Sequence, residues 1–235
     1  MGRPAVPGGD GRGARPGPDR TFGFVRASAD PAQVSALSTL AHAHAITLNA
    51  LLCGLFTVGV RAVLEPADGP IPMFFNMAVD MRRRMNPPIP DDVLLSAASA
   101  CPTRFDAVDV SSDPVELGRR IHRSLRDNDN ASVSDRELAT IPQMLERASP
   151  TLAVTNVGRI PPPRLPGHLR ATRLHILGIA RYPMLMTMIT GFDGHINLDV
   201  PFSRSWFEDH QIQGIATSTQ HLIDAMASGG RRPPG

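Results

Sequence analysis

TLAVTNVGRI, residues 151–160, reads as a short apolar strand running into a polar turn. Alternation puts Leu152 and Val154 on one face and Thr151, Ala153 and Thr155 on the other. Asn156 and Gly158 add turn chemistry, because both tolerate backbone angles that other residues avoid. A stiff, proline-rich exit follows from Ile160 to Pro166. A strand that stops at Thr155-Asn156 and opens into a rigid loop is a common way to line a cleft. The same spacing also fits a core strand with an ordinary turn, so the flanking sequence has to decide.

Upstream, Thr21–Arg26 alternates Phe22 and Phe24 with small or polar residues and predicts a strand. Asp30-Pro31 is a helix start, an acceptor followed by a residue with no N–H to lose. Val34, Leu37, Leu40 and Ala41 carry that helix to about His44. Thr47 can cap a second helix, Leu48–Val63, whose apolar positions leave only a narrow polar side; it should be mostly buried. Asn49 is its polar exception, placed either to cap or to hold a neighbouring loop. Pro66–Pro70 is a turn, and Ile71–Asp80 reads as a central strand. Arg82, Arg83 and Arg84 follow; extended spacing would send Arg82 and Arg84 to the same side, unless all three are simply solvated surface. Val93–Val108 fits one strand or two. Asp113-Pro114 opens a helix to about Asp127, and Ser134 with Glu137 makes a capping box for another, ending near Arg147.

Downstream, Arg173–Gly178, Pro183–Thr190 and His195–Val200 read as three strands, with Gly191–Gly194 as a hairpin connection between the last two. Trp206–Met226 is a closing amphipathic helix. Residues 1–20 and 228–235 are dominated by Gly, Pro and Arg and predict a disordered leader and tail around one folded unit, 21–227. Strands and helices mix without strict alternation, so the class is α/β or α+β with a mixed sheet.

Composition removes several functions. A net charge of +2 over 235 residues argues against nucleic acid. All 24 basic residues are arginine, which warns against giving each one a role. Cys53 and Cys101 lack metal-like spacing and sit among apolar residues, as buried free thiols of a reducing cytoplasm would. No stretch is long and apolar enough to span a bilayer, and residues 1–20 lack the apolar centre of a signal peptide. There is no H-E-x-x-H, no phosphate-cradling glycine loop and no G-x-S-x-G elbow, so no metal site is expected. His175 and His195 fall on strand segments, where a satisfied structural histidine is the plainer role. No histidine has neighbours that make it a general base.

Four pieces occur in a telling order: ITLNALL (46–52), VDMRRR (79–84), VTNVGRI (154–160), then a hairpin and an amphipathic helix. This order resembles the C-terminal half of the condensation-domain-like acyltransferases, over about Thr21 to Ala227. Within that group it is most similar to the polyketide-synthase-associated acyltransferases of mycobacteria, typified by phthiocerol/phthiodiolone dimycocerosyl transferase. The resemblance implies an α/β fold: a single chloramphenicol acetyltransferase-like lobe, with a mixed β-sheet flanked by helices. It also implies transfer of a long-chain acyl group, in lipid or polyketide biosynthesis, to a hydroxyl acceptor. The thioester co-substrate would be acyl-CoA or a phosphopantetheine arm, with no bound cofactor. The family's general base, the second histidine of H-H-x-x-x-D-G, belongs to the other lobe, and this sequence has no such motif.

The expectation is therefore a half-enzyme, inactive alone and without a catalytic residue of its own. Its partners would be an N-terminal lobe in trans, an acyl carrier or polyketide synthase domain, and a small lipid acceptor. A non-catalytic carrier-docking or acyl-chain-binding module is the alternative. By the resemblance, Thr155, Asn156 and Gly158 border the substrate tunnel. Arg82 meets the aspartate of the missing motif across the lobes, and Asn49 is structural.

Overall fold

The computed structural model describes residues 21–64, 69–90, 92–93, 97–129, 151–178 and 184–229. The leader, the helix expected from Ser134 to Arg147, most of the 66–70 turn and residues 230–235 lie outside the described residues.

β4 (Leu152–Ile160) is the pivot of the sheet. It runs parallel to β2 (Ile71–Asp80) on one side and to β5 (Leu185–Phe192) on the other. β1 (Phe22–Ala29), β3 (Ala98–Val108) and β6 (His195–Ser203) join antiparallel, giving six strands in the order β1-β6-β5-β4-β2-β3. The expected mixed sheet is thus present, and Val93–Val108 resolves to one strand beginning at Ala98. That strand is an edge; Pro102 in its middle marks it as one, since proline gives the ladder no donor.

Register carries one face of every strand into a common core: Ala27, Met73, Phe75, Cys101, Leu152, Val154, Ile189 and Leu198 are all at most 3% exposed. Among the described residues, four helices contribute to this core. α1 (Pro31–Ala43) starts at a capping box, in which Asp30 Oδ1 accepts from Gln33 N–H (2.8 Å) and Gln33 Oε1 accepts from Asp30 N–H (2.9 Å). α2 (Leu48–Arg61) is capped by Thr47, whose hydroxyl accepts from Ala50 N–H at 3.2 Å. α3 (Pro114–Asp129) has Asp113 and Pro114 at its start, as the sequence predicts. α4 (Asp209–Ala227) begins three residues later than expected, because Trp206 and Phe207 donate to Ser203 O and close a turn instead. Arg204 hydrogen-bonds Asp209 in that first turn and holds its carboxyl below the usual range.

α2 is buried from Ala50 through Arg61. It gets there through two side-chain-free contacts: a Cβ on Gly54 would lie 2.1 Å from Pro114 O in α3, and one on Gly59 would lie 2.2 Å from Thr219 Oγ1 in α4. Cys53 is enclosed in the same helix, and burial pushes its thiol far above its ordinary range, so it is inert. No single described helix is long and apolar enough to cross a membrane; α1 with α2 reaches that length only as a pair bent by 101°.

Two expectations need correcting. Residues 173–178 are not a strand. They lie across the opposite face of the sheet, where Arg26 donates to Leu174 O (2.6 Å) and to both oxygens of the fully buried Asp199 (2.7 Å each). His175 Nδ1 is 3.6 Å from Asp199, and its ring meets Phe24 edge-on. Isolated alternation cannot distinguish such a strap from a strand, because what makes a strand is main-chain pairing with a distant partner. The Arg82–Arg84 run is the second case: it forms a 3₁₀ turn, not an extended end, so Arg82 and Arg84 do not share a side by strand spacing.

The free edge of β1 is partly closed. Gln220 of α4 takes both main-chain groups of Ser28, accepting from its N–H (2.8 Å) and donating to its carbonyl (2.9 Å). Arg204 donates to Phe22 O at the other end (2.8 Å). Edge strands left open recruit other strands. Gln220→Ala should therefore cost about 1–2 kcal/mol and make the chain self-associate with rising concentration. Urea melts and sedimentation at two concentrations check both halves.

Candidate functional site

The expected turn at Asn156–Gly158 is instead a bulge inside β4. Pairing jumps from Asn156↔Ile189 to Gly158↔Thr190, so Val157 is an extra residue. Gly158 has φ +82°, and Asn156 Oδ1 accepts its N–H at 2.8 Å. The extra residue changes side-chain direction. Asn156 and Arg159 are three apart and would face opposite ways in a regular strand. The bulge sends both to the helix side, opposite Ile189 and Gly191 of β5.

There they meet a cavity of about 390 Å³. Its walls are Val34 of α1, Leu48, Asn49 and Leu52 of α2, Asn156, Gly158 and Arg159 of β4, and the β5–β6 hairpin from Ile189 to Ile196. The hairpin turn is Asp193-Gly194 alone, both at positive φ (49° and 81°), so Gly191 and Phe192 belong to the strand. Leu52, Ile189 and Phe192 are at most 4% exposed and form an apolar floor. The mouth is polar. Asn156 has spent its oxygen on Gly158, leaving its amide hydrogens. Arg159 is exposed, with no carboxylate partner among the described residues. His195 Nδ1 is 3.1 Å from Asp193 O; a carbonyl only accepts, so Nδ1 is the donor in that contact.

Asn49 is not the cap of α2, a role Thr47 fills. Among the described residues its amide hydrogen-bonds only to sulfur, donating to Met77 Sδ at 3.5 Å and accepting from the Cys53 thiol at 3.9 Å. Sulfur is a weak partner, so the amide keeps hydrogen-bonding capacity toward the cavity. Of the residues singled out in the sequence, the structure brings together Asn49, Asn156 and Gly158. Thr155 sits on the other face, half-buried between Ala78 and Met188. Arg82 is in the 3₁₀ turn beyond the end of β2, where its N–H donates to Asp80 Oδ1 (2.9 Å). Sequence reasoning missed Arg159 altogether and gave His195 a structural role on a strand as its plainer reading. A glycine inside a strand pattern, Gly158, was the available signal of a bulge.

This lobe, a mixed six-stranded sheet with its core under one face, is the chloramphenicol acetyltransferase-like fold of condensation and acyltransferase domains. Residues 18–200 match the family described as phthiocerol/phthiodiolone dimycocerosyl transferase C-terminus, and the chain belongs to that family. It is an acyltransferase-type domain. Among solved structures it is similar to the trichothecene 15-O-acetyltransferase of Fusarium sporotrichioides, with TM-score 0.70 and 12% identity over 87% of this chain and 47% of that one. The epimerization domain from the third module of tyrocidine synthetase B gives TM-score 0.64 and 16% identity, over 91% of this chain and 50% of that one. Polyketide synthase associated protein 5 of Mycobacterium tuberculosis gives 0.58 and 14%, over 89% and 52%. The chain thus spans about half the length of each of these three. No curated protein sequence matches it significantly.

Proposed function

We propose that this domain is the carboxyl-side lobe of an acyltransferase that moves a long-chain acyl group from a thioester, on CoA or a carrier protein, to a hydroxyl. The observation that carries the reading is the family match over residues 18–200, in a sequence without H-H-x-x-x-D-G. On this reading the general base comes from outside these 235 residues. Arg82, in the turn beyond β2, steadies the loop that bears it, and Asn156 and Gly158 border the substrate path. The acceptor hydroxyl gives its proton to that base and attacks the thioester carbonyl; the thiol leaves as the ester forms.

A general base is worth roughly a hundredfold or more in rate. The chain alone should therefore show no acyl transfer above background. Addition of an amino-side lobe carrying H-H-x-x-x-D-G should restore it, and Arg82→Ala should weaken that restoration. Transfer of radiolabelled acyl groups from acyl-CoA to a long-chain alcohol is the assay. Robust turnover by the chain alone would overturn the reading.

A second reading, a non-catalytic acyl-binding module, is favoured by one observation: Asn49, Asn156 and Gly158 share a cavity of about 390 Å³ whose other lining includes Leu48, Leu52 and Ile189. It predicts that the chain retains a lipid while the complementing lobe adds no turnover.

A further inference from the structure

We propose that the cavity between α2 and the β4 bulge is a binding site for the free carboxylate of a medium-chain fatty acid. This rests on the acyl-binding reading of the same cavity and deepens it by naming the ligand class; unlike the transfer reading, it asks for no second lobe and no chemistry.

The floor sets the tail. Leu52 and Ile189 are almost fully buried, Leu48 is half-buried beside them, and none offers a polar side-chain atom. The space of about 390 Å³ falls within the range of small-ligand sites, about 300–1,000 Å³, and so is large enough for a medium-chain tail. The mouth sets the head. No aspartate or glutamate lines the cavity. What does line it is a guanidinium, Arg159, with no carboxylate partner among the described residues, and the amide hydrogens of Asn156. A planar fork of donors beside a second donor fits a carboxylate better than a neutral alcohol. The bulge is what makes the site, because it alone brings Asn156 and Arg159 to one face.

The test is calorimetric titration of the chain with sodium decanoate, and separately with 1-decanol, below the concentration at which either aggregates. The expected result is saturable binding of one decanoate per chain, with decanol weaker by about tenfold or more. Arg159→Gln should lower decanoate affinity by a similar factor and leave decanol unchanged. Val34→Trp should block both ligands. It enlarges a half-buried residue of α1 at the cavity wall, and circular dichroism verifies that the variant is folded. Absence of decanoate binding would overturn the proposal. So would equal binding to the wild-type and both folded variants, which would place the fatty acid elsewhere. Either failure leaves the acyl-transfer reading standing, because that reading is tested by turnover with an added lobe.

Discussion

Gly54→Val will leave the chain largely unfolded or lower its denaturation midpoint more than any other substitution considered. The reason is geometric. A Cβ at this position would stand 2.1 Å from the carbonyl oxygen of Pro114 and 3.0 Å from the amide nitrogen of Gly118, both main-chain atoms of α3. Main chain cannot rotate away, so α2 and α3 must separate, and with them the core residues Leu51, Leu55, Val115 and Ile121. Overpacking commonly costs about 1–3 kcal/mol, and a clash with backbone lies at or beyond the top of that range. A domain holds only about 5–15 kcal/mol in total. Gly214→Ala in α4 is the control. Its added Cβ meets only the side-chain Cγ1 of Val63 at 2.9 Å, which can turn, and alanine favours helix over glycine by about 1 kcal/mol. Urea denaturation should show Gly54→Val collapsing and Gly214→Ala near wild type. Equal midpoints for the two would refute the packing argument.

Arg61 is the second large effect. It is the bulkiest fully buried side chain among the described residues. Among the described residues its guanidinium donates to the main-chain carbonyls Val108 O (3.1 Å), Leu64 O (3.1 Å) and Gly69 O. These belong to the end of β3 and to the two sides of the 65–68 connection, so one side chain ties α2 to the start of β2. Arg61→Met keeps much of the volume but strands the carbonyls of buried Val108 and Leu64 in the interior and frees the Gly69 end of the connection. At about 1–3 kcal/mol for a buried group left unsatisfied, the sum should exceed about 3 kcal/mol. Arg61→Lys should recover only part of it, because a single ammonium cannot span the positions that a planar fork reaches. Thermal unfolding of the three proteins orders them; a lysine variant as stable as wild type would mean that charge alone suffices.

Much of this was legible in the chain. The Asp30, Thr47 and Asp113 caps fix three helix starts by chemistry local to a few residues. The alternation Leu152/Val154 against Ala153/Thr155 fixes which face of β4 is buried, because side chains alternate strictly in a regular strand. The burial of α2 follows from its narrow polar side. The absence of H-H-x-x-x-D-G and the order of the four quoted pieces also belong to the sequence, and they decide how the domain is read chemically.

The candidate site was less legible. Asn156 and Gly158 stood out, but as a turn; that they lie in a strand depends on β5 pairing on both sides of Val157, and pairing partners are distant in sequence. Arg159 became a cavity residue only through that same extra residue, and Thr155 left the cavity by ordinary alternation. The strap at 173–178 alternates like a strand in sequence, and contacts from Phe24, Arg26 and Asp199, on β1 and β6, place it across the sheet and not in it. Local chemistry determined caps, periods and buried faces, because a few adjacent residues settle each of them. Only the tertiary structure decided which side chains share a cavity, because that requires elements far apart in the chain to be brought into register.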